Sequence, residues 1–151
     1  MATWAEFAEA APEMAALGLK QLQKFNLVYL AKTAEDGRPY VHPVVPLVTD
    51  GRLLVFVALG TPKERNLRRD GRYAMHAVVS KEDEEFLVSG RAVVADDQVS
   101  RAVAYKAADA IGMTTKDDVL MEFLIERAHW AIWENLGTPN IRRAAKRWRE
   151  T

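Results

Sequence analysis

Residues 52–72, R-L-L-V-F-V-A-L-G-T-P-K-E-R-N-L-R-R-D-G-R, constrain the fold more than any other stretch of this chain. Val55, Phe56 and Val57 form a near-continuous apolar run of β-formers, the pattern of a strand buried on both faces. The run stops at Gly60-Thr61-Pro62. Gly60 is free to take a positive φ, Thr61 offers a hydroxyl at an N-cap position, and Pro62 is pre-set for the first helical residue. The sequence therefore predicts a strand that runs into a tight turn and a short basic helix starting near Lys63. The first turn of such a helix leaves backbone N–H groups unpaired beside the positive end of its dipole. Thr61, Lys63 and Asn66 add side-chain donors, and the combination suits a doubly charged phosphate at the mouth of a β-structure. A solvated basic face made of Lys63, Arg65, Arg68, Arg69 and Arg72 satisfies the same spacing.

Composition removes several classes of function. A length of 151 residues fits one domain with a core of ordinary size. Lys plus Arg and Asp plus Glu both number 21, so the formal charge is zero and nothing global points to nucleic acid or an acidic membrane. The absence of Cys excludes disulfides, thiolate catalysis and the usual zinc ligand sets. His42, His76 and His129 lie far apart, so no metal site is expected. No apolar run reaches the roughly 20 residues that cross a bilayer, and Glu6, Glu9 and Glu13 stand where a signal peptide is basic. The expectation is a cytoplasmic protein with no membrane partner.

Along the chain, residues 3–25 read as two short helices: Thr3 caps the first and Pro12 starts the second, with Trp4, Phe7, Met14, Leu17, Leu22 and Phe25 at roughly helical intervals. From Asn26 the period becomes that of β-structure. Residues 27–31 form a strand, 35–38 a hairpin turn and 40–48 the returning strand, followed by a second turn at Asp50-Gly51. Pro39, Pro43 and Pro46 each remove a ladder donor, so the returning strand is bulged, an edge, or borders a gap where a flat ligand meets backbone. Residues 73–79 and 85–95 make a further antiparallel pair, with Gly90 marking a bulge or a close backbone approach. Glu82, Asp83, Glu84 and Glu85 in the intervening turn read as solvated rather than catalytic. A helix over 97–111 packs through Val99, Val103, Tyr105 or Lys106, and Ala107. Residues 120–134 read as a long bent strand if one residue is skipped near Arg127. The tail, 138–151, surrounds Trp148 with Arg142, Arg143, Lys146, Arg147 and Arg149; it reads as a surface segment docked by its Trp, or as a platform for a ring or a second phosphate.

A helical start, five or six mostly antiparallel strands and helices inserted at two points place the chain in the α+β class, as a closed or split β-barrel with peripheral helices. The succession D-G-R-P-Y-V-H-P-V-V-P (36–46), D-G-R-L-L-V-F-V (50–57), T-P-K-E-R-N-L-R-R-D-G-R-Y-A-M-H (61–76) and F-L-V-S-G-R-A (86–92) resembles the pyridoxamine 5'-phosphate oxidase-like FMN-binding split-barrel family. The likeness is closest to its small stand-alone members, grouped with the flavin and deazaflavin oxidoreductases.

That resemblance implies a six-stranded antiparallel split barrel over the whole of 1–151: helices at 3–25, barrel core at 26–95, an inserted helix, then final strands and basic tail at 119–151. It implies a homodimer with two cofactor sites in clefts between the subunits. The ring system would lie against His42, Pro43, Val44 and Val45, flanked by Val57 and Ala58. Thr61 and Lys63 match the family's Ser/Thr-x-Lys phosphate grip, and Asn66 follows its N-L pattern. Where deazaflavin users often carry Arg two residues before the Lys, this chain has Thr61, which favours FMN over the deazaflavin coenzyme F-420. The second strand has Tyr40, Val41 and His42 where true pyridoxamine phosphate oxidases place an Arg, and residues 146–149 hold no Arg-Leu pair, so vitamin B6 is not the expected substrate. The implied function is an FMN-dependent oxidoreductase acting on a small molecule. The alternatives are a deazaflavin-dependent reductase or a non-catalytic flavin- or haem-binding protein. In such proteins the isoalloxazine carries the redox chemistry, and no side chain is named here as catalytic acid or base.

Overall fold

In the computed structural model, which describes residues 1–151, two helices, α1 (Trp4–Ala10) and α2 (Pro12–Lys24), precede the sheet. Thr3 and Glu6 form a reciprocal capping box at the start of α1, and Pro12 occupies the first turn of α2, so both predicted boundaries hold. There follow β1 (Val28–Thr33), β2 (Pro39–Val44), β3 (Leu47–Thr49), β4 (Arg52–Ala58), α3 (Pro62–Arg69), β5 (Arg72–Ala77), β6 (Glu84–Val94), α4 (Gln98–Ala110), β7 (Asp118–Glu134) and β8 (Arg142–Arg149). All eight strands belong to one sheet, ordered β2-β1-β5-β6-β7-β4-β3, with β8 also paired to β7.

The connection between β2 and β3 forces this sheet to curl. Laid flat, seven strands about 4.8 Å apart span roughly 29 Å. Yet the two edge strands are joined by Val45 and Pro46 alone, a link that reaches at most about 11 Å. The edges must therefore meet, and the fold is a split barrel. It stays split because Pro39 and Pro43, four residues apart, direct their backbone nitrogens to the same side of β2. Successive backbone groups of a strand point to opposite sides, and β1 occupies one of them, so the missing N–H donors fall on the free edge. One returning strand over 40–48 was expected; the chain instead breaks at Val45-Pro46 and sends its two halves to opposite edges. That break, and the pairing of the basic tail as β8, raise the strand count from the expected six to eight.

β7 is 17 residues long and serves several partners along one edge. Its first part pairs with Leu54–Ala58 of β4 and its last part with all of β8. Ala2 plugs the gap between them with two backbone bonds to Ile125, of 2.9 and 2.7 Å. On its other edge β7 pairs with β6, where Ser89 faces Arg127 but Gly90 faces Ile125, so Glu126 is the skipped residue. This is the expected bend, and Gly90 marks it. A Cβ on Gly90 would run into the Leu124 carbonyl and lie 2.9 Å from the Glu126 nitrogen.

The barrel interior holds Val28, Leu30, Val55, Val57, Met75, Phe86, Val88, Met121, Phe123 and Ile125, and α1 and α2 cover one end with Trp4, Phe7, Met14 and Leu22. A second, smaller core lies outside β4, where Leu54, Phe56 and Leu120 meet Ala104 and Ala108 of α4. The stripe expected on α4 is met at Ala107, which packs against this core, but the buried positions are Ser100, Ala104 and Ala108, while Val99 is 75% exposed. Small side chains let this helix approach the strands closely, which Val99 would prevent. The acidic turn also departs from expectation. Glu82 pairs with Lys24 in solvent, but Glu84 is buried and accepts a 2.8 Å hydrogen bond from the Trp130 indole, with Lys20 3.6 Å away. The tail does dock by its Trp: the Trp148 ring lies 5.0 Å from that of Phe7.

Candidate functional site

The end of β4 turns into α3 beside the split. Gly60 has φ +76°, a conformation that an L side chain resists, and this aims the chain into the helix. Thr61 is the N-cap in extended conformation: its hydroxyl accepts from the Glu64 N–H at 3.3 Å and donates to the Ala58 carbonyl at 2.7 Å. Pro62 fills the first helical position. The Arg65 guanidinium donates to the Gly60 carbonyl at 2.6 Å and fixes the turn from the other side. The backbone N–H groups of Thr61 and Lys63 have no partner within the chain, whereas the Gly60 N–H faces the Glu64 carboxylate. The predicted strand, turn and helix are thus present, and the free amides lie at the positive end of the dipole.

Three side chains bring charge and donors to the same place. Lys63 is half-buried, and loss of water lowers its pKa, with Asp118 partly restoring it. On β2, His42 is half-buried with Nε2 enclosed and unpartnered; burial first, then the charges of Lys32 and Lys63, lower its pKa. On β1, Lys32 is only 4% exposed and its Nζ has no hydrogen-bond partner. Burial, then Lys63, lowers the Lys32 pKa. The Tyr40 ring links these groups, lying 5.4 Å from Lys32 Nζ and stacked on the His42 imidazole at 6.0 Å. Buried polar atoms are nearly always satisfied in folded proteins. Two enclosed orphan donors beside a desolvated lysine and free helix amides therefore fit an anion.

These shifts keep His42 neutral at physiological pH. In an NMR titration of the free protein His42 is expected to titrate below the ordinary histidine range, and added phosphate is expected to raise its midpoint, because a neighbouring anion favours the imidazolium. A midpoint that phosphate leaves unmoved would separate His42 from the anion site.

The sequence-predicted residues take different positions around the split. Pro43 and Ala58 are exposed on its two sides. Val44 and Val57 point into the barrel core, which leaves only their backbone at the split. Val45 is half-buried and packs against the outer core. Asn66 is buried; its Oδ1 accepts from Arg69 at 2.8 Å, and Arg69 in turn donates to the Thr33 carbonyl at 2.7 Å, tying α3 to β1. The Thr61 hydroxyl is engaged within the turn, which leaves its amide as the free donor.

Lys32 is the residue that sequence reasoning missed. Ending the first strand at Ala31 removed it from the pattern. Carried on to Thr33, the period of two puts Lys32 in the inward row with Val28 and Leu30. A concavity of about 490 Å³ lies elsewhere, lined by Leu87, Ser89, Arg127, His129, Arg147 and Arg149 among others on β6, β7 and β8. It contains none of the candidate anion-binding residues.

A curled antiparallel sheet split beside a helix N-terminus defines the class as a split barrel. A family model described as pyridoxamine 5'-phosphate oxidase matches residues 18–129, and the chain belongs to that family. No curated protein matches it. Among solved structures, a haem binding protein from Mycobacterium smegmatis aligns at 17% identity with TM-score 0.61; the alignment covers 87% of this chain and 57% of that one. A NimC/NimA family protein from Clostridium acetobutylicum aligns at 14% identity, TM-score 0.63, covering 85% and 89%. HutZ, the haem storage protein of Vibrio cholerae, aligns at 14% identity, TM-score 0.60, covering 77% and 89%. At these identities the likeness is one of fold alone. No helix is long and apolar enough to cross a membrane.

Proposed function

We propose that the protein binds FMN in the split and acts as a flavin-dependent oxidoreductase on a small molecule. The observation that carries this reading is the meeting of Lys63, the free amides at the start of α3 and the enclosed, unpartnered His42 Nε2 at one edge of the opening. Lys63 and the amides of Thr61 and Lys63 would hold the phosphate, and the exposed backbone of Pro43, Val44 and Val45 would border the ring. The bound flavin would supply the redox chemistry. This chain's residues would orient it, screen it from water on the barrel side and set the charge around it. Ala58 would flank the opposite side, with Asn66 holding α3 in position. Exposed Tyr29 of β1 and Val41 of β2, on one face of the β1–β2 ladder, support a homodimer in which a second subunit covers the open face. The deazaflavin coenzyme F-420 is the alternative ligand of the same cleft.

Haem is a second reading, favoured by one observation: His42 Nε2 is a ring nitrogen with no partner, enclosed at the split, and thus open to an iron. An absorption spectrum of the protein as purified separates the two, since flavin bands and a Soret band do not coincide. FMN titration should then show saturable binding by the wild type and much weaker binding by Lys63→Ala, since a charge-assisted contact contributes about 1.5–3 kcal/mol. A protein that takes up neither FMN, a deazaflavin nor haem would refute the cofactor reading.

A further inference from the structure

Lys32 supplies a charge that no part of the fold explains. Its side chain is 4% exposed on the inward row of β1, makes no hydrogen bond and joins no ion pair. A buried ammonium kept for structure is normally held by a carboxylate or by carbonyls, since an unpaired one is costly. Here the charged and titratable neighbours are Lys63 and His42, both donors, with the Tyr40 ring as the only compensation. The free protein therefore holds two lysines at close quarters, and the one carboxylate that offsets either of them is Asp118 beside Lys63. That arrangement is unfavourable until an anion enters.

We propose that Lys32 is a phosphate-binding residue and that, paired with Lys63, it makes the site selective for a phosphomonoester dianion. The proposal rests on the anion-site reading given above and goes beyond it by assigning a second cation and a ligand charge. A phosphomonoester carries about −1.5 to −2 at neutral pH, which two ammonium groups balance while the neutral His42 imidazole donates one further hydrogen bond. A phosphodiester carries one negative charge and leaves one buried ammonium uncompensated. An uncharged isoalloxazine such as riboflavin leaves both. The geometry supports a shared ligand: Lys32 faces Tyr40 across the β1–β2 ladder, His42 is two residues further along the same face, and the Tyr40 ring touches both. Lys63 approaches from the other side of the split, at the start of α3.

Lys32→Met tests this, because methionine keeps the length of the stem and removes the charge. Melting temperatures are measured with and without inorganic phosphate, and FMN and riboflavin affinities by calorimetry, for the wild type and the variant. The ligand-free variant is expected to melt above the wild type, being relieved of a buried charge. It should also lose most of the phosphate-induced rise and bind FMN roughly ten- to a hundredfold more weakly, with riboflavin binding unchanged. A variant that melts below the wild type, or that binds FMN as well as the wild type does, overturns the assignment of Lys32 and leaves the flavin reading intact. A wild type that ignores FMN but is stabilised by phosphate through Lys32 overturns the flavin reading and leaves the assignment intact. A wild type indifferent to phosphate and FMN alike overturns the assignment.

Discussion

A Gly90→Val variant is expected to lose about 3 kcal/mol of folding stability, the upper end of what overpacking costs. The obstacle at this position is backbone: a Cβ would meet the Leu124 carbonyl and the Glu126 nitrogen, and neither can rotate away as a side chain could. Relief requires the β6–β7 ladder to part at the point where its register shifts. That ladder joins the two longest strands of the barrel, from Glu84↔Ile132 to Val94↔Met121. Denaturant unfolding reads the effect as a lower midpoint, and Ser89→Ala next door provides the control, with an expected change within about 0.5 kcal/mol. A Gly90→Val midpoint equal to that of the wild type would show that the two strands do not approach as described.

Phe86→Ala should cost about 3–5 kcal/mol, the range for deleting a buried aromatic ring. Phe86 is fully buried, packs edge-to-face on Trp4 with centroids 6.3 Å apart, and lies directly against Gly18 of α2. The space of the ring is available only because residue 18 has no side chain. The two positions should therefore couple: Gly18→Ala alone should destabilise by overpacking, and the double variant should lose less than the sum of the two. Strict additivity within about 0.5 kcal/mol would contradict direct contact between α2 and the barrel interior.

The fold was readable where chemistry is local. Gly60-Thr61-Pro62, the Thr3 cap and the skipped residue near Arg127 each have one conformational solution, and the chain adopts it. Reading failed where a partner distant in sequence decides the outcome. Val45-Pro46 looks like one more irregularity in a proline-rich strand, and only the strand order shows that it joins the two edges of the sheet. Glu84 sits among three other acids, and nothing nearby reveals that Trp130, 46 residues on, will bury it. The basic tail carries the charge of a surface segment, yet Ala144 and Trp148 pack on the core once β7 offers an edge, while Lys146 between them reaches Glu13 of α2. At the candidate site, Thr61, Lys63 and His42 stand out from motif and resemblance. Lys32 does not, because a lysine at a strand end is ordinarily solvated and nothing local in the sequence signals that this one is buried.

The shared edge of β7 also brings the beginning and end of the described chain together. Ala2 and β8 lie side by side on that edge, the Met1 amine is 2.8 Å from a Glu150 carboxylate oxygen, and the Glu150 N–H reaches the Glu126 carbonyl. Topologically the polypeptide is nearly a ring. Splicing residue 150 to residue 1 through a short linker and opening the exposed 135–140 loop would give a circular permutant in which every strand keeps its neighbours, so the order of translation is separable from the architecture.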